Sequence, residues 1–260
     1  MPGSACENLG PESLPRAMSK TARPPGPLAF AVTIAALAGV SGCSFDEPVA
    51  TIICFGDSIT GQGARWGGYV PLANSLLRKA CPSGGLQLVA AGVSGSRVPD
   101  LERRLETEVL AAKPHACVVY IGINDVWHKE RGGGTPKAEY EAGLRAIVER
   151  MKTAGIQVFL CTPSVIGEKP AGANPLDAML DEYAEITRVV ATQTGAKLID
   201  LRQAFQKYLN EHNPRQTAQG ILTYDRVHLN AAGNRLVAHT IAEQLVNEIP
   251  CTTAGSAPAQ

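Results

Sequence analysis

The sequence lacks an excess of charge of either sign. Its 260 residues include 24 Lys and Arg and 24 Asp and Glu, so the formal net charge is zero, and no basic block occurs. Nucleic-acid-binding proteins concentrate positive charge, which argues against DNA or RNA as a partner. With 45% hydrophobic and 18% charged residues, and no visible internal repeat, the composition is that of a globular chain.

The sequence also lacks a Cys-x-x-Cys pair, although seven cysteines occur. The missing spacing argues against a structural zinc site. Cys54, Cys117 and Cys161 lie in apolar, strand-like runs and are expected to be small buried hydrophobic residues. Cys81 and Cys251 follow predicted helices; the sequence leaves open whether they pair.

A third feature that is missing is an apolar run long enough to cross a bilayer with ease. The longest candidate, residues 28–40, is uncharged and follows the basic residues Arg16, Lys20 and Arg23. Crossing a bilayer takes about 20 apolar residues, so this layout is more typical of a secretory signal. The sequence Val-Ser-Gly-Cys that ends at Cys43 resembles the lipobox of bacterial lipoproteins.

We therefore predict that residues 1–42 are a lipoprotein-type signal peptide and that Cys43 carries the lipid anchor. Residues 43–50 are then a linker, residues 51–250 the folded domain and residues 251–260 a C-terminal tail. This predicts an extracytoplasmic protein attached to a bacterial membrane only through its lipid. The alternatives are a plain signal peptide and a secreted protein, an apolar helix of the domain itself, and a start at Met18.

Strand-like and helix-like patterns alternate along the remaining chain. The predicted strands are residues 51–55, 86–90, 116–121, 156–161 and 197–199, and the predicted helices are residues 66–79, 100–112, 135–154, 175–194 and 230–249. This alternation predicts an α/β protein, a three-layer α/β/α sandwich around a flavodoxin-like five-stranded parallel sheet of order 2-1-3-4-5. The loops after strands one, two and three then leave the same edge of the sheet.

Those loops and the segment before the last helix carry the residues that acyl transfer requires. They read Gly-Asp-Ser58, Gly-Val-Ser-Gly95, Gly-Ile-Asn124-Asp and Asp225-Arg-Val-His228. A serine hydroxyl needs a neighbouring base, the base needs an orienting group, and the oxyanion needs hydrogen-bond donors. Taken alone, Ser58 could equally be a helix cap.

In this order and on these elements, the motifs resemble those of the SGNH hydrolases, also called the GDSL esterase/lipase family. The resemblance covers residues 51–249. It implies that Ser58 is the nucleophile, His228 the base and Asp225 the acid that orients it.

The same resemblance assigns the oxyanion hole to the backbone N–H groups of Ser58 and Gly95 and to the side-chain amide of Asn124. One position departs from the pattern. Ala90 stands where the family's second motif usually has Asn, which weakens the bracing of that loop. Trp127 and His128, in the loop after Asn124, are candidates for the wall of the substrate pocket.

Together these features predict a serine esterase that needs no metal or organic cofactor. Its expected substrate is a small-molecule or glycan ester with a short acyl group, with O-acetyl groups on carbohydrate favoured; its oligomeric state is left open. The alternatives are a lysophospholipase or thioesterase, a non-catalytic carbohydrate-binding lipoprotein and, less favoured, a metal-dependent hydrolase.

Overall fold

The structure, a computed structural model, describes residues 50–82 and 85–251. The predicted signal peptide, Cys43 and nearly all of the predicted linker lie outside the described residues, as do residues 252–260 of the predicted tail. All described residues belong to one compact unit.

Five parallel strands form one sheet in the order β2-β1-β3-β4-β5, as the sequence predicts. The strands are β1 (Ala50–Gly56), β2 (Leu86–Gly92), β3 (Ala116–Tyr120), β4 (Gln157–Cys161) and β5 (Lys197–Ile199). The central strands are apolar and buried because helices cover both faces of the sheet. The carboxyl ends of β1, β2 and β3 therefore meet at one edge.

Eight α-helices surround the sheet within the described residues. They are α1 (Ser58–Gly63), α2 (Tyr69–Ala80), α3 (Val98–Leu105), α4 (Ile123–Trp127), α5 (Lys137–Thr153), α6 (Asp177–Thr194), α7 (Leu201–His212) and α8 (Ala231–Glu248). Helix α3 continues through a π-helical turn, Glu106–Leu110, and α4 through a 3₁₀ turn, His128–Arg131. Helices α2, α7 and α8 pack as one layer, and α3, α5 and α6 as the other.

The sequence leaves three helices unpredicted, and the starts of four others differ from the prediction by two or three residues. Helices α1, α4 and α7 are missing from the prediction; the first two are short, and α7 alternates buried apolar residues with long polar ones. Helix α2 begins at Tyr69 and leaves Trp66 in an exposed turn. Helix α3 begins at Val98, so Asp100 lies in its first turn and not at the N-cap. Its carboxylate accepts the N–H of the N-cap residue, Arg97, at 2.8 Å.

The five cysteines of the described residues behave in two ways. Cys54, Cys117 and Cys161 are buried free thiols, as predicted. Cys81 and Cys251 form a disulfide with a Cα–Cα distance of 5.4 Å, which fixes the end of α2 to the segment after α8. In residues 50–82 and 85–251, no helix combines the length and the apolar character that crossing a membrane requires.

Candidate active site

Ser58 stands at the first position of α1, directly after strand β1. A Cβ on Gly56 would lie 2.3 Å from the Tyr120 carbonyl oxygen, so only glycine fits where β1 ends beside β3. The carboxylate of Asp57 caps α1 by accepting the Ile59 N–H at 2.8 Å. The cap is therefore Asp57, and the Ser58 hydroxyl is left for another partner.

That partner is His228, which lies 170 residues further along the chain. The Ser58 Oγ is 2.9 Å from His228 Nε2, and the His228 Nδ1 is 2.6 Å from Asp225 Oδ2. The second carboxylate oxygen of Asp225 accepts the backbone N–H of His228 at 2.7 Å. With the carboxylate on Nδ1, the ring carries its hydrogen there, and Nε2 is free to accept the serine proton.

The Asp225 carboxyl is suited to remain ionised. Partial burial raises its pKa, but the hydrogen bonds from the His228 ring and from the backbone N–H groups of His228 and Val227 outweigh this effect. The pKa of Asp225 is therefore lowered. A carboxylate that stays charged near neutral pH can stabilise the imidazolium that forms when His228 accepts a proton.

Asn124 and Gly95 lie at the same sheet edge. Asn124 is buried in α4, and its Nδ2 donates to the Ser96 carbonyl at 3.0 Å and to Asp57 Oδ2 at 3.2 Å. Gly95 is exposed in the turn after β2, with a left-handed φ of +79°. Both Asn124 amide hydrogens therefore already have acceptors. An oxyanion that bound here would compete with Asp57 for the hydrogen of the longer bond.

Asp57 is a buried carboxyl that contacts this donor. Its pKa is raised to about 7, chiefly by burial and further by the nearby Asp125, while its bond from Ile59 opposes the shift. The pKa of Asp125 is raised to about 6, again chiefly by burial. The charge beside Asn124 therefore changes near neutral pH.

Arg104 is a bracing residue that the sequence analysis missed. Its guanidinium donates to the carbonyls of Gly56 at 3.2 Å and Ala91 at 3.0 Å, and to the Ser96 hydroxyl at 3.0 Å. These bonds tie the ends of β1 and β2 to the loop that carries Gly95. They provide bracing in the motif where Ala90 replaces the usual Asn.

Glu168 is a second missed residue, and its side chain is fully buried in the loop after β4. One carboxylate oxygen accepts the N–H of Leu222 at 2.7 Å and both the N–H, at 2.5 Å, and the hydroxyl, at 2.8 Å, of Thr223. The other oxygen accepts the Ile221 N–H at 2.8 Å. Such charge-assisted bonds fix the segment that leads into Asp225.

The turn between the acid and the base is held from the same loop. Arg226 has a left-handed φ of +78°, which costs a non-glycine residue about 1–2 kcal/mol. Its carbonyl accepts the Gly167 N–H at 2.8 Å. Gly167 and Glu168 thus hold this turn and the segment before it in the conformation that points His228 at Ser58.

Three aromatic side chains stand near the site. The half-buried ring of Trp127 lies edge-on to His228, with centroids 6.4 Å apart. His128 is half-buried, 6.5 Å from the Trp127 ring, and its role in the pocket stays a prediction. Tyr224, which was not predicted from the sequence, stacks its ring on His228 at 5.8 Å and donates its hydroxyl hydrogen to Gln62 at 3.1 Å.

A hydroxyl, an imidazole and a carboxylate in one hydrogen-bonded row are the constellation of a serine hydrolase. Within the described ranges, no group of three His, Cys, Asp or Glu side chains is arranged to hold a metal ion.

Comparison with known proteins identifies the family. Residues 54–236 match the model of the GDSL-like Lipase/Acylhydrolase family, and the chain belongs to that family. It is a carboxylic ester hydrolase.

Three relatives illustrate the similarity. An acetylxylan esterase of Geobacillus stearothermophilus is 32% identical over 212 residues, which cover 75% of this chain and 93% of that protein. The crystal structure of the acetyl xylan esterase AlAXEase is 40% identical, with a TM-score of 0.72, and the match covers 74% of this chain and 98% of that one. An uncharacterized lipoprotein of Bacillus subtilis, YqeF, is 27% identical over 63% of this chain and 73% of its own length.

The change Glu168→Gln tests the clamp on the segment before Asp225. Glutamine keeps the shape but loses the charge, and its amide hydrogens face backbone N–H groups. We expect the free energy of unfolding in urea to fall by about 1–3 kcal/mol. Because His228 is then less well aligned, we expect kcat per titrated active site to fall about 10- to 100-fold.

The matched control is Glu149→Gln, a change at an exposed position of α5. It should behave as wild type in both measurements. A Glu168→Gln variant with wild-type kcat and wild-type stability would show that the carboxylate does not position the loop.

Proposed function

We propose that this esterase removes acetyl groups from carbohydrate and that Ser58 is its nucleophile. The observation that carries the proposal is the row of short hydrogen bonds from Ser58 through His228 to Asp225, at 2.9 and 2.6 Å. Ser58 Oγ attacks the ester carbonyl while His228 Nε2 takes its proton. Asp225 holds the resulting imidazolium by charge and by its bond to Nδ1.

The tetrahedral intermediate places a negative charge on the former carbonyl oxygen. We assign its stabilisation to the N–H groups of Ser58 and Gly95 and to the Asn124 amide; loss of one such donor typically costs about 3–4 kcal/mol in the transition state. His228 then gives its proton to the leaving alcohol, which leaves an acyl group on Ser58. Water then attacks the acyl group by the same steps and releases the acid and free Ser58. Neither a metal nor an organic cofactor takes part.

Two observations support a short acyl group. The two acetylxylan esterases compared above match this chain over nearly their whole length, at 32% and 40% identity. Near Trp127 lies a small, partly open cavity of about 30 Å³, which is lined by Trp127, Ile166, Pro175, Leu176, Arg226 and Val227. A space of that size holds a group as small as a methyl or a water molecule rather than a long acyl chain.

We further propose that the protein is extracytoplasmic and anchored by lipid on Cys43. The lipobox-like sequence before Cys43 supports this, and so does the similarity to the lipoprotein YqeF. If the anchor exists, the Cys43→Ala variant will leave the membrane fraction. A variant that stays in the detergent-soluble membrane fraction would contradict it. Because an anchor would hold the enzyme at a membrane, a lysophospholipase or thioesterase is the second candidate function.

An ester panel tests the proposed reaction and its acyl preference. We expect 4-nitrophenyl acetate to be cleaved with a higher kcat/KM than the octanoate ester, and acetate to be released from acetylated xylo-oligosaccharides. The Ser58→Ala variant should lose about 10⁴- to 10⁶-fold in kcat. The control is Ser75→Ala, on α2.

The results separate the candidates. A preference for the octanoate ester would favour the lysophospholipase or thioesterase. Full activity in Ser58→Ala would overturn the assignment of the nucleophile.

A further inference from the structure

Some exposed apolar side chains lie on segments that begin or end at this site. Four large hydrophobic residues of the described ranges are more than a third exposed: Trp66, Val89, Val93 and Tyr224. Tyr224 directly precedes Asp225, Val93 follows β2 at the catalytic edge, and Trp66 lies in the turn after α1, the helix that begins at Ser58. Single exposed apolar residues are ordinary, but a group of them around one site indicates a binding surface.

Tyr224 forms the outer wall beside His228. Its ring lies nearly parallel to the imidazole, at an angle of 17°, yet the residue is 53% exposed. Its hydroxyl is held by Gln62 and its N–H by the His228 carbonyl at 3.0 Å. His228 must protonate the leaving alcohol, so the leaving group has to lie beside the imidazole, against which the Tyr224 ring is stacked.

Trp66 extends the surface away from Ser58. Its side chain is fully exposed, at 101% of the reference area. The turn that carries it is fixed at both ends: the Arg65 N–H donates to the Gln62 carbonyl at 3.1 Å, and the Tyr69 N–H donates to Asn234 Oδ1 at 2.9 Å. Gln62 therefore connects the two aromatic residues, since its side chain holds Tyr224 and its carbonyl begins the turn of Trp66.

We propose that Tyr224 and Trp66 form a sugar-binding surface for the leaving-group side of the substrate. Tyr224 contacts the acetylated sugar unit, and Trp66 contacts a further unit of the same chain. This inference rests on the proposed function.

The chemistry of a pyranose ring fits this surface. Such a ring presents an apolar face of C–H groups, which are attracted to the negative face of an aromatic ring. Its rim of hydroxyl groups needs polar partners: Gln62 bonds to the Tyr224 hydroxyl, and the exposed Arg65 directly precedes Trp66 in the chain. A lipid tail would require a continuous apolar wall instead.

The test compares two substrates of the same enzyme, an acetylated xylohexaose and 4-nitrophenyl acetate. The measured quantity is the ratio of their kcat/KM values. We expect Trp66→Ala to lower this ratio about tenfold, mainly through a higher KM for the oligosaccharide, because only the longer substrate reaches Trp66. On acetylated xylose, a single unit, the effect of Trp66→Ala should disappear.

Two further variants complete the design. Val89→Ala is the matched control, an exposed apolar residue on the edge strand β2 away from this surface, and should keep the wild-type ratio. Tyr224→Ala should lower the ratio and also slow the cleavage of 4-nitrophenyl acetate, because its ring contacts His228.

The outcomes separate this inference from the proposed function. A wild-type enzyme that does not deacetylate xylohexaose refutes the proposed substrate, and the inference falls with it. If the wild-type enzyme deacetylates the acetylated xylohexaose but Trp66→Ala leaves the ratio of kcat/KM values unchanged, only the sugar-binding surface is overturned. A Trp66→Ala variant with an unchanged ratio but weaker liposome binding, or a changed oligomeric state, would assign Trp66 to a membrane or to a second copy.

Discussion

The position of one imidazole ring governs this site. His228 must bring Nε2 to Ser58 and Nδ1 to Asp225 at the same time, and the observed distances of 2.9 and 2.6 Å leave little freedom. The serine reaches this position through the sheet: β1 delivers Ser58 to the carboxyl edge, and Gly56 allows the close approach to β3. The histidine has no strand to place it, so its position depends on the loop that carries it.

Hydrogen bonds from buried polar groups fix the conformation of that loop. Glu168 accepts four hydrogen bonds from the segment before Asp225, and Gly167 holds the carbonyl of the left-handed Arg226. Arg104 likewise ties β1 and β2 to the loop that carries Gly95. A buried carboxylate without its partners would be costly, so the fold is committed to this one loop conformation.

The sequence was sufficient for features that local patterns encode. Apolar runs and their spacing predicted the strand order, and the short motifs predicted Ser58, Asn124, Asp225 and His228 as neighbours. The boundaries of the helices, and α7 in particular, were harder because polar residues interrupt their apolar pattern. In α7 the spacing of Leu201, Phe205 and Leu209 after the cap Asp200 was the available signal.

The sequence was insufficient where a residue acts on distant partners and belongs to no recognisable motif. Glu168 bonds to residues more than 50 positions away, and a single glutamate in a loop has no periodicity that reveals this. Tyr224 and Gln62 are separated by 162 positions, and Cys81 and Cys251 by 170. Such pairs depend on distances that only the folded chain defines.

The most direct test of the account is covalent labelling of the folded protein with a fluorophosphonate, followed by intact-mass and peptide analysis. We predict one adduct per chain, on Ser58, and no adduct in the His228→Ala variant, because the hydroxyl is nucleophilic only beside the imidazole. An unlabelled folded protein, or an adduct on another residue, would contradict it.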